Sequence, residues 1–268
     1  MSLNPSDSAS GSAARRSTRL RRVTGEPAFL LHQYAWSESS AIVELFTREH
    51  GRVCAIAKGA KKPTSNFRSV LLPLQFLQVD YSYTEVIDSE ICTIRGVEWI
   101  GGYAMPQKDA LLAGMYLNEL LLRLLVRGEK HLPIFDAFAA TVRVLATQPQ
   151  DMLEPLLRAF ELVMLKSLGL LPDLSVQTMT SEPVLARGRY ALIREVGLHS
   201  APEQGHALRG EQWLQLEQAL RSEMALAHCM EILSGHAHDL KRQIRAALAH
   251  YLGGDLQTQR LMRGMRSL

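Results

Sequence analysis

The chain holds 268 residues, 47% of them apolar and 21% charged, enough for one large domain or two small ones and too apolar for a wholly disordered or collagen-like polymer. Thirty Lys and Arg stand against 27 Asp and Glu, a balance too even to identify a polyanionic partner from the total, and no window reaches the ~18 uncharged apolar residues of a membrane span. Cys54, Cys92 and Cys229 are odd in number and widely spaced, which excludes a disulfide framework and a paired-cysteine zinc site; with no secretory apolar stretch of ~7–15 residues near the start, a cytoplasmic protein is expected.

Residues 1–24 are rich in Ser and Ala, carry Arg15, Arg16, Arg19, Arg21 and Arg22 against the single acid Asp7, and offer almost nothing to bury. They are expected to form a disordered arm. Its arginines suit an auxiliary nucleic-acid contact better than a membrane, because the large apolar residues needed for insertion are missing. From 25 to 102 the period is near two. FLLHQYAW, AIVELFT, GRVCAIAKGA, VLLPLQFLQVDYSY and VIDSEICTIRGVEW read as about five strands separated by turn residues, and five consecutive strands in so short a span predict a small closed barrel.

After Gly101 and Gly102 the period becomes ~3.6. KDALLAGMYLNELLLRLLVRG is apolar on most sides, with Glu119, Arg123 and Arg127 as one charged line at i, i+4 and i+8, and is expected to be the buried central helix. LPIFDAFAATVRVLAT gives a second helix with Pro133 in its first turn, and DMLEPLLRAFELVMLKSLG a third that ends at Gly169. Residues 170–208 read as loops with one short hairpin around RYALIREV. Helical pattern returns in EQWLQLEQALRSEMALAHCMEIL, in HAHDLKRQIRAALAHYLGG and in QTQRLMRGMR. The fold class predicted is α+β, a barrel followed by a mostly α-helical domain over 103–268.

The usual phosphate, acyl and metal signatures are missing, and no carboxylate pair stands beside a histidine, so no catalytic residue, no cofactor and no enzymatic activity is predicted. The best metal candidate, His228, Cys229, His236 and His238, needs its helices to fold back around Gly235; solvated or helix-end histidines are the commoner outcome. A metal-dependent nuclease using this group is one alternative function. Between 48 and 68, Arg48, Arg52, Lys58, Lys61, Lys62 and Arg68 face only Glu49. Such a local excess suits a polyanion, since each phosphate neutralised releases condensed counterions. Arg260 and Arg263 add a weaker basic run near the C-terminus. Phe67, Tyr81, Tyr83, Tyr34 and Trp36 either offer faces for base stacking or fill the barrel. A basic barrel alone does not choose DNA over RNA, so an RNA-binding factor is a second alternative, and a protein-interaction scaffold with an ordinary charged loop a third.

The run LHQYAWSESSAIVELFTREHGRVCAIAKGAKKPTSNFRSVLLPLQFLQV resembles the N-terminal OB-fold of the bacterial RecO family of DNA repair proteins. MYLNELLLRLL, LLRAFELVMLKSLGLLPDL and HYLGGDLQTQRLMR are similar to that family's helical domain in the same order. The resemblance implies a non-enzymatic recombination mediator of the RecF pathway. Such a protein binds single- and double-stranded DNA, anneals complementary strands, associates with RecR and engages the acidic tail of single-stranded-DNA-binding protein to help load RecA. It further implies that the K-G-A-basic motif at Lys58, Gly59, Ala60, Lys61 and Lys62 contacts DNA. Many members carry a four-cysteine zinc module after P-D-L; here residues 170–208 contain no cysteine, so an irregular lobe without zinc ligands is expected. An apolar groove edged by cations is required for the partner's tail, and Met115, Tyr116, Leu120, Arg123 and Arg127 near Leu157 and Phe160 are the candidates.

Overall fold

The computed structural model describes residues 20–84, 91–147, 150–202, 206–254, 256–258 and 260–261. Strands β1 (Leu20–Ala35), β2 (Ala41–Thr47), β3 (Gly51–Ala57), β4 (Phe76–Thr84) and β5 (Ile91–Trp99) close into a barrel in the order β1-β2-β3-β5-β4. Neighbours are antiparallel except β3 with β5. Alternation places Ala41, Val43 and Leu45 of β2, Val53, Ala55 and Ala57 of β3, and Leu77, Val79 and Tyr81 of β4 inside. The several alanines suit the narrow lumen of five strands.

Two expectations about the barrel need correction. β1 begins at Leu20, so residues 20–24, assigned above to the arm, are its first rungs, Leu20 to Val23 pairing with Thr84 to Tyr81. Backbone pairing requires no apolar side chain, so composition gives no sign of it. The register then shifts between Val23 and Glu26, where Gly25 has φ 67° and donates its amide to Asp80 Oδ1 at 2.7 Å, a bulge that bends the strand. The second correction concerns the run from Val70, which is not a strand at its start. A one-turn helix α1 (Asn66–Val70) precedes β4, and Pro73 lies between them. The rest of the expected arm and residues 85–90 lie outside the described residues.

The helical domain comprises α2 (Lys108–Leu124), α3 (Leu132–Thr147), α4 (Leu153–Ser167), α5 (Gly210–Leu220), α6 (Ala225–Leu233) and α7 (Ala237–Leu252). The central helix is α4 rather than α2: every residue from Arg158 to Leu165 is buried. Glu161 accepts from Arg158 Nη2 at 2.7 Å and from the Tyr116 hydroxyl at 2.6 Å. Burial pushes both the Glu161 carboxyl and the Tyr116 hydroxyl above their ordinary values, with Arg158 opposing. The expected single helix over 211–233 is two, broken at 221–224, where the Ser222 hydroxyl donates to the Ala219 carbonyl at 2.7 Å.

The helix α2 instead packs on the barrel. Phe29, Leu31, Phe46 and Leu74 of the barrel side share one core with Tyr116, Leu117, Phe135 and Phe138. Phe29 stacks on Phe76 at 5.1 Å and meets Phe138 edge-on at 4.9 Å. At Gly114 an added Cβ would lie 2.3 Å from a Leu74 methyl, so a larger residue would have to push the buried Leu74 side chain aside. Asn118 Nδ2 donates to the Leu30 and Leu31 carbonyls at the bulge in β1.

In the irregular lobe the hairpin is present as β6 (Arg189–Ile193) and β7 (Gly197–Ser200), joined by a two-residue β8 (Leu208–Arg209) in the order β7-β6-β8. Tyr190, Leu192, Leu198 and Leu208 bury against the helices. Trp213 Nε1 donates to the Tyr190 carbonyl at 3.0 Å and Gln243 Oε1 accepts from the Leu192 amide at 2.6 Å.

Candidate nucleic-acid interface

The loop after β3 is shaped by alternating demands. Lys58 is exposed, Gly59 takes φ 74°, and Ala60 turns back to bury in the barrel core. Lys61 and Lys62 then point to solvent. The loop is tied to the β1–β2 hairpin tip: the Lys61 amide donates to the Ser39 carbonyl at 2.9 Å, Lys61 Nζ to the Ser37 carbonyl at 2.7 Å, and the Gly59 amide to Ser40 Oγ at 3.3 Å. Ser65 caps α1 by accepting from the Phe67 amide. On that single turn Phe67 packs on the barrel core while Arg68 is exposed.

Among the described residues, Lys58, Lys62 and Arg68 make no salt bridge and no side-chain hydrogen bond, and Lys61 meets only the neutral Ser37 carbonyl. Their charge is thus uncompensated locally. Arg48 and Arg52 differ. They sit at the opposite end of the same strands, around the β2–β3 turn, and both are engaged with the helical domain. Arg48 makes a fork on Asp136, Nε to Oδ1 at 3.2 Å and Nη2 to Oδ2 at 3.1 Å, and also meets Glu49. Asp136 is the largest cause of the raised Arg48 pKa. Arg52 lies 3.6 Å from the buried Glu44 carboxylate and donates to the Leu122 carbonyl. Glu44 also pairs with Arg127. Next to them the Gly128 amide donates to the Arg52 carbonyl at 2.9 Å. Gly51, at φ 64°, lies so close to Glu129 that a Cβ would stand 1.8 Å from its carbonyl oxygen. As phosphate ligands Arg48 and Arg52 are therefore corrected to an interdomain clamp: acids 88 and eight positions away neutralise them.

The aromatic candidates also separate. Tyr81 is buried, with its hydroxyl pushed up by burial, and Tyr83 and Phe67 are half-buried against the barrel. Tyr34 and Trp36 are exposed. A cavity of about 270 Å³ beside Tyr81 and Tyr83 is lined by Arg52, Cys54, Cys92 and Arg127. Both thiols are pushed up to about 11 by burial, which leaves them protonated and poorly nucleophilic at neutral pH.

The expected tail groove does not exist in the form predicted. Tyr116, Leu120 and Phe160 are buried core, Met115 and Leu157 are half-buried, and Arg127 lies beyond the end of α2, paired with Glu44. Helical spacing marked these side chains as apolar but could not say that α3, α4 and the barrel would cover them. Arg123 is exposed, 4.0 Å from Glu119. Glu119 in turn accepts from the Gln257 and Thr258 amides and the Thr258 hydroxyl at 2.7–2.9 Å, tying the C-terminal segment to α2. Arg260 is exposed on that segment; Arg263 lies outside the described residues. Asp136 was missed because its partner is 88 positions away, and Glu44 because only the β2–β3 pairing and the packing of Arg127 bring its partners to it.

The histidines do not gather around Gly235. Cys229 is buried on α6, His228 Nδ1 lies 2.9 Å from Ser222 Oγ, His236 precedes α7, and the His238 ring is 6.0 Å from His206. Among the described residues no three His, Cys, Asp or Glu side chains form a group able to hold a metal, and no helix is long and apolar enough to cross a membrane.

The sequence matches the family model described as Recombination protein O N terminal over residues 22–103 and that described as Recombination protein O C terminal over residues 106–260. It is 48% identical over 250 residues to the DNA repair protein RecO of Verminephrobacter eiseniae, covering 92% of this chain and 98% of that one. It is 49% identical over 259 residues to the RecO of Acidovorax ebreus, covering 92% and 99% respectively. For the RecO of Paracidovorax citrulli the identity is 49% over 257 residues with the same coverage.

Proposed function

The chain belongs to the RecO family of DNA repair and recombination proteins, and from that premise we propose that it is a non-enzymatic recombination mediator whose DNA contact is the loop after β3. Lys58, Lys61, Lys62 and Arg68 hold the sugar–phosphate chain of single and double strands. The observation that carries this reading is that these four cations share the segment between β3 and β4 without a carboxylate partner among the described residues, whereas the neighbouring Arg48 and Arg52 have theirs.

Contacts to phosphate leave base edges free. Two strands held with their charge neutralised repel each other less, and their Watson–Crick edges can then find register, which is annealing without covalent chemistry. On strands coated with single-stranded-DNA-binding protein, this chain engages that protein's acidic C-terminal tail and, with RecR, opens room for RecA. Arg260 extends the basic surface as a secondary contact.

The experiment is strand annealing by wild type and by the triple variant Lys58→Ala, Lys61→Ala, Lys62→Ala, on bare strands and on coated ones, with the coat protein intact or lacking its tail. The expected result is slow annealing by the triple variant in every case, and loss of wild-type activity on coated strands when the tail is deleted. Wild-type rates from the triple variant would overturn the assignment.

A further inference from the structure

Resting on the phosphate-binding reading above, we propose that Trp36, supported by Tyr34, is a stacking platform for the unpaired bases of the strand that the lysine loop holds, and that it makes the interface favour single strands over duplex.

The placement is set by backbone bonds. β1 ends at Ala35, and the tip that follows is closed by the Trp36 and Ser37 amides donating to the Ser40 carbonyl at 3.2 and 3.3 Å. The same tip receives the Lys61 ammonium on the Ser37 carbonyl and the Lys61 amide on the Ser39 carbonyl. The aromatic tip and the cationic loop therefore form one unit, in which a base plane and a phosphate anchor are held a few residues apart.

The rings themselves are unspent. Trp36 is 61% exposed and Tyr34 44%, although a tryptophan gains more from burial than almost any other side chain. His32 and Tyr34 lie opposite Glu44 and Ile42 on one face of β1, with ring centroids 4.4 Å apart at 67°, so Tyr34 is braced. A lone exposed aromatic ring would need no explanation. Two large rings on a hairpin whose tip is hydrogen-bonded, through Ser37, Ser39 and Ser40, to a loop of uncompensated lysines are the combination that single-stranded nucleic acid recognises: cations follow the backbone while bases stack on aromatic faces, whatever the sequence.

Paired bases have their faces covered by neighbours in the helix and gain nothing from Trp36, so only unpaired strands use it. Stacking also leaves the Watson–Crick edge open. A strand on the platform can still find its complement, and once paired it leaves the ring, so the platform favours release of annealed product.

The deciding measurement is the affinity of wild type, Trp36→Ala, Trp36→Phe and the triple lysine variant for a labelled deoxythymidine oligomer and for a labelled duplex of equal length. Trp36→Ala is expected to weaken oligomer binding roughly tenfold and duplex binding less than twofold, Trp36→Phe to keep most of the oligomer affinity, and the triple variant to weaken both. In a Trp99→Phe background, which leaves the buried Trp213 as the other indole, the oligomer should quench tryptophan emission and the duplex should not. Equal loss on both ligands by Trp36→Ala, or no loss on either while the triple variant still weakens both, overturns the platform and leaves the lysine reading standing. If the triple variant binds both as wild type does, the lysine reading falls and the platform with it.

Discussion

The two ends of the β2–β3 pair carry similar basic residues and use them in opposite ways. At the β2–β3 turn, Arg48 and Arg52 are consumed by Asp136, Glu49 and Glu44 and join the barrel to the helices. At the other end, Lys58, Lys61 and Lys62 meet no carboxylate among the described residues and stand in solvent, fixed by backbone bonds. A run of cations along a sequence is therefore not a patch in space until the acids of every packed element are counted. Arginine, with its planar fork, serves the clamp, and lysine, a mobile point charge, serves the open end.

The comparison can be broken most severely at Glu44. This buried carboxylate faces both Arg52 and Arg127, so Glu44→Ala removes the carboxylate that both guanidinium groups share and is expected to cost about 3 kcal/mol of unfolding free energy. Chemical denaturation measures this, and oligonucleotide affinity should stay at the wild-type level. An unchanged denaturation midpoint would mean that the clamp contributes nothing.

The converse substitution, the triple lysine variant, should reduce DNA affinity at least tenfold while moving the thermal midpoint little, since the three side chains are exposed and only Lys61 makes a hydrogen bond, to the Ser37 carbonyl at the surface. Glu217 sharpens the contrast from within the helical domain. Burial alone would raise its pKa, but the Lys166 ammonium, the Leu174 amide and Arg221 outweigh burial and hold it below the ordinary 4.5. A depressed folded pKa stabilises the fold above the unfolded value and loses that contribution as pH falls through the folded one. Glu217→Gln should therefore be less stable than wild type at neutral pH and show a flatter acid limb below about pH 4.5 in thermal melts. The smallest effect belongs to Arg48→Ala: both partners of its fork are largely exposed, so less than ~1 kcal/mol is lost, and DNA binding should not change.

The strands AIVELFT and GRVCAIA were legible because one face of each enters a narrow core and the period of two follows directly. The helices α3 and α4 were legible through their apolar faces and end signals. The first rungs of β1 were hidden because pairing there is carried by backbone groups beneath polar side chains, and the break between α5 and α6 because it contains neither glycine nor proline. At the site, the K-G-A motif announced itself: outward lysine, positive-φ glycine and inward alanine are a local requirement of the turn. The clamp of Arg48 and Arg52 did not, because the charges that neutralise them come from β2 and α3, and only the closed fold brings them together.

The most direct measurement of the central claim is the slope of log affinity against log salt for a single-stranded oligonucleotide, taken for wild type, for Lys58→Ala, Lys61→Ala, Lys62→Ala together, and for Arg48→Ala. Each phosphate deprived of its lysine should flatten the slope by ~0.7, so the triple variant should be shallower by about 2 and Arg48→Ala should match wild type. A wild-type slope from the triple variant, or an equal flattening by Arg48→Ala, would contradict the claim that the open end of the barrel, and not the clamp end, carries the main DNA contact.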